Sequence, residues 1–202
     1  DIAVLFRSSF HSFDLEIELN KANIPFVKFG GFKFIETAHI KDIVAYLRIL
    51  ENPRDAVAWN RILLLLDGVG PRTAEKVIED VLSRRSSSAP AASGPALPTF
   101  WKGFQGYNDS VHLLFGVLQE TSPAHLTPAD KVQRILEHYE HIFKRRYDDA
   151  PKRRKDLEMF QQITERYRDV STLLTDLALE PATESVTDIT PPGTDDEKLI
   201  LS

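Results

Sequence analysis

The stretch LLLLDGVGPRTAEKVIEDV, residues 63–81, constrains this chain more than any other. Two glycines, Gly68 and Gly70, flank a single apolar residue, Val69, between two apolar runs. Before the turn, Trp59, Ile62, Leu63 and Leu66 recur at three- and four-residue spacing. After it, Ala74, Val77, Ile78 and Val81 do the same, so each set lies on one face of a helix. The spacing predicts an apolar helix, a turn made of Gly68, Val69 and Gly70, and a second amphipathic helix. Glycine lets the backbone turn sharply while Val69 fills the gap between the helices. Pro71 suits the first turn of the second helix, where its missing N–H is no loss.

The free N–H groups at that helix start face outward and form a seat for a phosphate oxygen. This is the pattern of a helix-hairpin-helix clamp on a DNA backbone. Gly68, Val69 and Gly70 would present backbone N–H groups, and Arg72, Thr73 and Lys76 stand where side chains add phosphate contacts. A GxG between packed helices can also be purely structural, and both readings stand at this point. No catalytic centre is visible: the chain has neither a GxxxxGK[ST] phosphate loop nor a G-x-S-x-G nucleophile elbow. His138 and His141 lie three apart, as helix-borne metal ligands do, but no third ligand accompanies them. Asp148-Asp149 and Asp195-Asp196, in breaks or linkers, read as caps or solvated turns, with a Mg2+ site as the alternative. The clusters Lys144-Arg145-Arg146 and Lys152-Arg153-Arg154-Lys155 read equally as a solvated face and as a phosphate-contacting edge.

Composition sets the remaining bounds. The 202 residues contain no cysteine, so there is no disulfide framework and no thiolate site. Net charge is −5, which does not favour indiscriminate nucleic-acid binding. The charge is uneven, however: residues 131–168 hold 11 basic and 7 acidic side chains, and residues 169–202 hold 1 and 8. A local basic face is therefore compatible with an acidic protein. No apolar run reaches the length of a membrane span and no leader opens the chain, so a cytoplasmic location and no membrane partner are expected. Both ends, Asp1 and the run Leu199-Ile200-Leu201, read as cut from something larger.

Residues 2–6 predict a strand buried on both faces, 13–23 a helix and 25–29 a second strand, a βαβ unit with parallel strands. Further helices are expected over 39–50, with Ile40, Ile43, Val44, Leu47 and Leu50 inward, and from a cap at Asp55 into the turn. Residues 86–99, rich in Ser, Ala and Pro, predict a flexible loop. Trp101, Phe104 and Tyr107 are expected to anchor the chain in the core after it, with base stacking as the alternative. A helix follows over 110–120. Thr127, Pro128 and Asp130 form a capping sequence for a helix to about residue 147 with Val132, Ile135, Leu136, Tyr139 and Phe143 inward. One long helix is expected from residue 151 to about 179, its stripe made by Leu157, Phe160, Ile163, Tyr167, Val170, Leu174 and Leu177. Residues 180–197 read as a linker and 198–202 as a strand. The fold class is mostly α: a helical insertion containing a helix-hairpin-helix, flanked by a small βαβ fragment of an α/β domain, with the C-terminal strand joining the same sheet.

Three stretches resemble the UvrD/PcrA/Rep family of superfamily 1 DNA helicases. They are IAVLFRSSFHSFDLEIELNKANIPFVKFGG (2–31), GGFKFIETAHIKDIVAYLRIL (30–50) and GVGPRTAEKV (68–77), with a weaker likeness at RRKDLEMFQQIT (153–164). The resemblance implies that residues 1–36 belong to the second RecA-like domain, 2A. Residues 37–190 would be its inserted 2B domain, and residues 191–202 a linker and returning 2A strand. In that family 2A helps bind ATP and single-stranded DNA, while 2B swivels and contacts duplex DNA. Swivel points would lie near Asn52-Pro53 and Pro191-Pro192-Gly193. Thr37 stands where the family usually has Arg, and the middle is short for 2B. The implied role is the DNA-binding and regulatory portion of an ATP-dependent 3′-to-5′ helicase in DNA repair or replication. Its partners would be duplex or forked DNA, the other helicase domains, and repair or replication proteins. ATP and Mg2+ are implied for the parent, and no catalytic residue, cofactor or metal for this chain. The alternatives are a free-standing helix-hairpin-helix DNA-binding module and a protein-interaction platform in which the turn is structural.

Overall fold

The computed structural model describes residues 2–6, 12–22, 24, 26–28, 34–84, 107–178 and 199–201. Its centre is helix α2, Ala38–Glu51. The expected stripe is there, with Ile40, Ile43 and Leu47 fully buried, but so are His39, Asp42, Tyr46 and Ile49 on other sides, while Val44 is only partly buried. A helix covered nearly all round must be surrounded. Helices α3 (Ala56–Leu63), α5 (Asp109–Thr121), α6 (Pro128–Arg146), α7 (Ala150–Thr164) and α8 (Val170–Ala178) all pack against α2. Helix α4, Pro71–Arg84, packs on α3. One continuous apolar core runs through these helices.

Two expectations are corrected by local hydrogen bonding. The apolar helix before the glycine turn ends at Leu63, because the next amides bond three residues back: Leu65 to the Ile62 carbonyl at 3.0 Å and Leu66 to that of Leu63 at 3.1 Å. Leu65 and Leu66 are still buried, from tight turns rather than from a helix. The single long helix after residue 151 is two. The Thr164 hydroxyl donates to the Gln161 carbonyl at 2.6 Å, the Glu165, Arg166 and Tyr167 amides bond three residues back, and Asp169 accepts from the Thr172 amide at 2.7 Å to start α8. The restart shifts the stripe, so Leu173 is fully buried and Leu174 only partly.

Away from this bundle, strands β1 (Ala3–Val4), β2 (Phe26–Lys28) and β3 (Leu199–Leu201) form a parallel sheet in the order β1-β3-β2. The two N-terminal strands do not touch each other: Ala3 and Val27 both face Ile200 of β3. The expected burial of residues 2–6 on both faces does not hold, since Ile2 and Leu5 are 67% and 82% exposed on an edge strand with one side open. Leu19 of α1 (Phe13–Lys21) and Phe26 form a small separate core. Lys21 joins α1 to the bundle, with Nζ 3.1 Å from the Asp176 carboxylate of α8 and 5.0 Å from the centre of the Tyr167 ring.

The connection from α2 to α3 is pinned. Asn52 accepts from the Asp55 amide and, through Oδ1, from the Arg54 amide, and the buried Trp59 indole donates to the Pro53 carbonyl at 2.9 Å. Asp55 caps α3 through the Ala58 amide, as expected, and also pairs with Arg48. These bonds lie at the expected swivel point, Asn52-Pro53. The expected loop at 86–99, Trp101, Phe104 and the linker carrying Pro191, Pro192 and Gly193 lie outside the described residues.

Candidate nucleic-acid interface

Between α3 and α4 the two glycines do different work. Gly68 has φ +71°, a left-handed conformation that L side chains rarely adopt, and a methyl group there would sit 3.0 Å from Asn108 Nδ2. That amide donates to the Asp67 carbonyl at 3.0 Å, while Asn108 Oδ1 accepts from the Val111 amide and caps α5. One side chain thus fixes the turn and starts a neighbouring helix. Val69 is buried and fills the gap between the helices. Gly70 has an ordinary backbone and nothing within 4 Å of its would-be side chain.

Helix α4 begins at Pro71, and the Ala74 amide bonds to the Gly70 carbonyl at 2.9 Å. The amides of Arg72 and Thr73 precede the first intrahelical bond and carry the positive end of the helix dipole. Arg72 and Lys76 are exposed and Thr73 is half-buried. Ala74, Val77 and Val81 point into the core, so the charged residues have the outer face. Lys76 Nζ lies 5.9 Å from the centre of the Tyr107 ring, and the Tyr107 hydroxyl donates to the Asp80 carboxylate. Tyr107 therefore lies against α4 and is half-buried, the anchoring role expected of it.

The two basic clusters differ. In the second, Arg153 pairs with Asp149 at 2.6 Å and lies 4.6 Å over the Tyr147 ring, and Arg154 pairs with Glu140. The Arg154 hydrogen bond, with Lys144 adding to it, holds the Glu140 carboxyl below the usual carboxylate range. In the first cluster, Arg145 reaches back to Asp67 in the α3–α4 turn. Neither Asp67 nor Asn108 stands out from sequence patterns as part of this surface. Asn108 was within reach of them, since Asn followed by an apolar-periodic run is a helix-start signal.

His138 is partly buried with Nε2 unpaired, its ring 6.1 Å from that of Tyr46, whereas His141 is exposed. Among the described residues no three His, Asp or Glu side chains stand together as a metal site. No helix among them is long and apolar enough to cross a membrane.

The model of the UvrD-like helicase C-terminal domain matches residues 1–185, which spans the small sheet's first two strands, the bundle and the whole glycine turn. The chain belongs to that family. Within it, the ATP-dependent DNA helicase UvrD1 of Mycobacterium tuberculosis is 51% identical over 63 residues, covering 31% of this chain and 8% of that protein. UvrD1 of Mycobacterium bovis gives the same figures. The ATP-dependent DNA helicase PcrA of Staphylococcus aureus is 41% identical over 78 residues, covering 38% of this chain and 11% of that protein. The matched segments span 8% and 11% of the length of these curated relatives. In this UvrD-like domain, the described bundle keeps the glycine turn at the surface and its apolar residues inside.

Proposed function

We propose that this chain is the DNA-contacting and regulatory part of an ATP-dependent 3′-to-5′ DNA helicase acting in the bacterial cytoplasm, in repair or replication. Residues 1–36 and 191–202 are then portions of domain 2A, and residues 37–190 form the inserted 2B domain. The α3–α4 turn is its helix-hairpin-helix. Gly68, Val69 and Gly70 present backbone N–H groups to a phosphate, the Val69 amide by exchanging its long 3.4 Å bond to the Leu66 carbonyl, and Arg72, Thr73 and Lys76 add side-chain contacts. The observation that carries this reading is the start of α4: among the described residues, neighbours in the chain aside, no heavy atom lies within 4 Å of a methyl placed on Gly70, and Arg72 and Lys76 are exposed beside it. A duplex or forked DNA backbone would meet exposed backbone and basic side chains there, and the helix dipole favours the phosphate. The contact is independent of base sequence and weakens with salt. ATP and Mg2+ act in the parent helicase, and the remaining helicase domains are partners of this one. The isolated chain, with no phosphate-loop motif, does not hydrolyse ATP.

The test is binding of forked DNA to the purified chain across a salt series. Binding that is abolished in Lys76→Glu with the melting temperature unchanged supports the reading. Undetectable binding at low salt overturns it in favour of a protein-interaction platform.

A further inference from the structure

Asp67 and Arg145 meet across the fold. Asp67 lies three residues before Gly70, and Arg145 lies in the last turn of α6; the Arg145 guanidinium donates to the Asp67 carboxylate. A chain advances at most about 3.6 Å per residue, so Asp67 and Gly70 lie within ~11 Å of each other. Phosphates recur every ~3.4 Å of axis along one DNA strand. The end of α6 is therefore a few phosphates from the start of α4.

The surroundings suit an anion. Lys144, Arg145 and Arg146 end α6 and outweigh the roughly half negative charge of its dipole; Asp148 and Asp149 follow, the latter paired with Arg153. Lys144 is paired with Glu140 at 3.0 Å. Arg146 is exposed, and no carboxylate pairs with it among the described residues. The Arg145–Asp67 pair is itself open to solvent, at 43% and 63% side-chain exposure, and exposed pairs are weak. A phosphate accepts two parallel hydrogen bonds from a guanidinium and competes well with one carboxylate oxygen. In the second basic cluster the two arginines, Arg153 and Arg154, are engaged with Asp149, Tyr147 and Glu140, which leaves Lys152 and Lys155 as its exposed charges.

We propose that Arg145 and Arg146 extend the phosphate-binding surface of the α3–α4 turn, and that Asp67 holds Arg145 beside α4 until a DNA phosphate takes its place. This rests on the DNA-contacting reading of the turn. Asp67 then acts as a built-in competitor that sets how tightly the surface binds.

The experiment uses the 202-residue chain and a short fluorescein-labelled DNA duplex, with anisotropy read over a sodium chloride series. The variants are Arg145→Ala/Arg146→Ala, Asp67→Asn and Lys76→Glu, each checked by melting. The double variant is expected to make the slope of log K against log salt shallower by about 1.8, at ~0.9 for each phosphate no longer neutralised. A merely structural role does not change that slope. Asp67→Asn is expected to bind up to about fivefold tighter at low salt, the factor set by the weakness of an exposed pair. An unchanged slope in the double variant, with binding abolished in Lys76→Glu, overturns this proposal and leaves the turn's role standing. Equal or weaker binding by Asp67→Asn overturns the competitor role. No binding by the unaltered chain overturns both readings together.

Discussion

Replacing Gly68 by alanine separates the structural glycine from the open one. At φ +71° an L residue pays roughly 1–2 kcal/mol of backbone strain. The new methyl would stand 3.0 Å from Asn108 Nδ2, so Asn108 must shift. That weakens its bond to the Asp67 carbonyl, worth ~1 kcal/mol net, and disturbs the cap of α5, worth ~1 kcal/mol. The total is about 2–4 kcal/mol. In a chain of this size each kcal/mol moves the midpoint by ~2–4 °C, so Gly68→Ala is expected to melt about 10 °C lower. Gly70→Ala is the matched control: it meets nothing within 4 Å, and its cost is under ~1 kcal/mol. Circular dichroism melts of the two variants side by side give the answer. Gly68→Ala melting no lower than Gly70→Ala would refute the division of roles.

Other outcomes follow from the same structure. Asp42→Ala removes a buried carboxylate that accepts from Arg61 at 2.7 Å and from the Tyr139 hydroxyl at 2.6 Å, and urea titration should show a loss of about 2–3 kcal/mol, mostly from the buried Tyr139 hydroxyl left unpaired. Thr127→Ala breaks the capping box of α6 and should cost ~1 kcal/mol in the same assay. Burial pushes the His138 imidazole below its usual pKa, with His141 adding to the shift. The unfolded chain therefore binds the extra proton first, and stability falls as pH drops through the unfolded value of about 6.5 and below. Melting curves from pH 7.5 to about 5 should show a drop that is smaller in His138→Phe.

The parts of the fold legible in the sequence are those decided within a few residues. The capping box is one: the Asp130 amide donates to Thr127 Oγ1 at 3.1 Å and the Thr127 amide to Asp130 Oδ2 at 3.0 Å. The glycine turn is another, because Gly68, Val69 and Pro71 each carry a backbone or packing requirement of their own. The end of α3 was hidden because leucine suits both a helix and the tight turns that follow. The break between α7 and α8 was hidden because Leu157 to Leu177 keeps apolar spacing through it, while the deciding bonds come from Thr164 and Asp169. The all-round burial of α2 depends on distant partners: His39 meets Asp156 of α7 at 2.9 Å and Asp42 meets Tyr139 of α6. For the same reason the Asp67–Arg145 pair, which joins segments far apart in the chain, had no local signature.

The functional proposal stands or falls on whether the start of α4 holds a DNA phosphate. The salt dependence of forked-DNA binding by the unaltered chain and by Lys76→Glu decides it. The unaltered chain is expected to show a linear fall of log K with log salt, steeper than the ~0.9 of a single phosphate, and a normally melting Lys76→Glu protein is expected not to bind. Equal binding and equal slope in the two proteins would contradict a phosphate seat at α4.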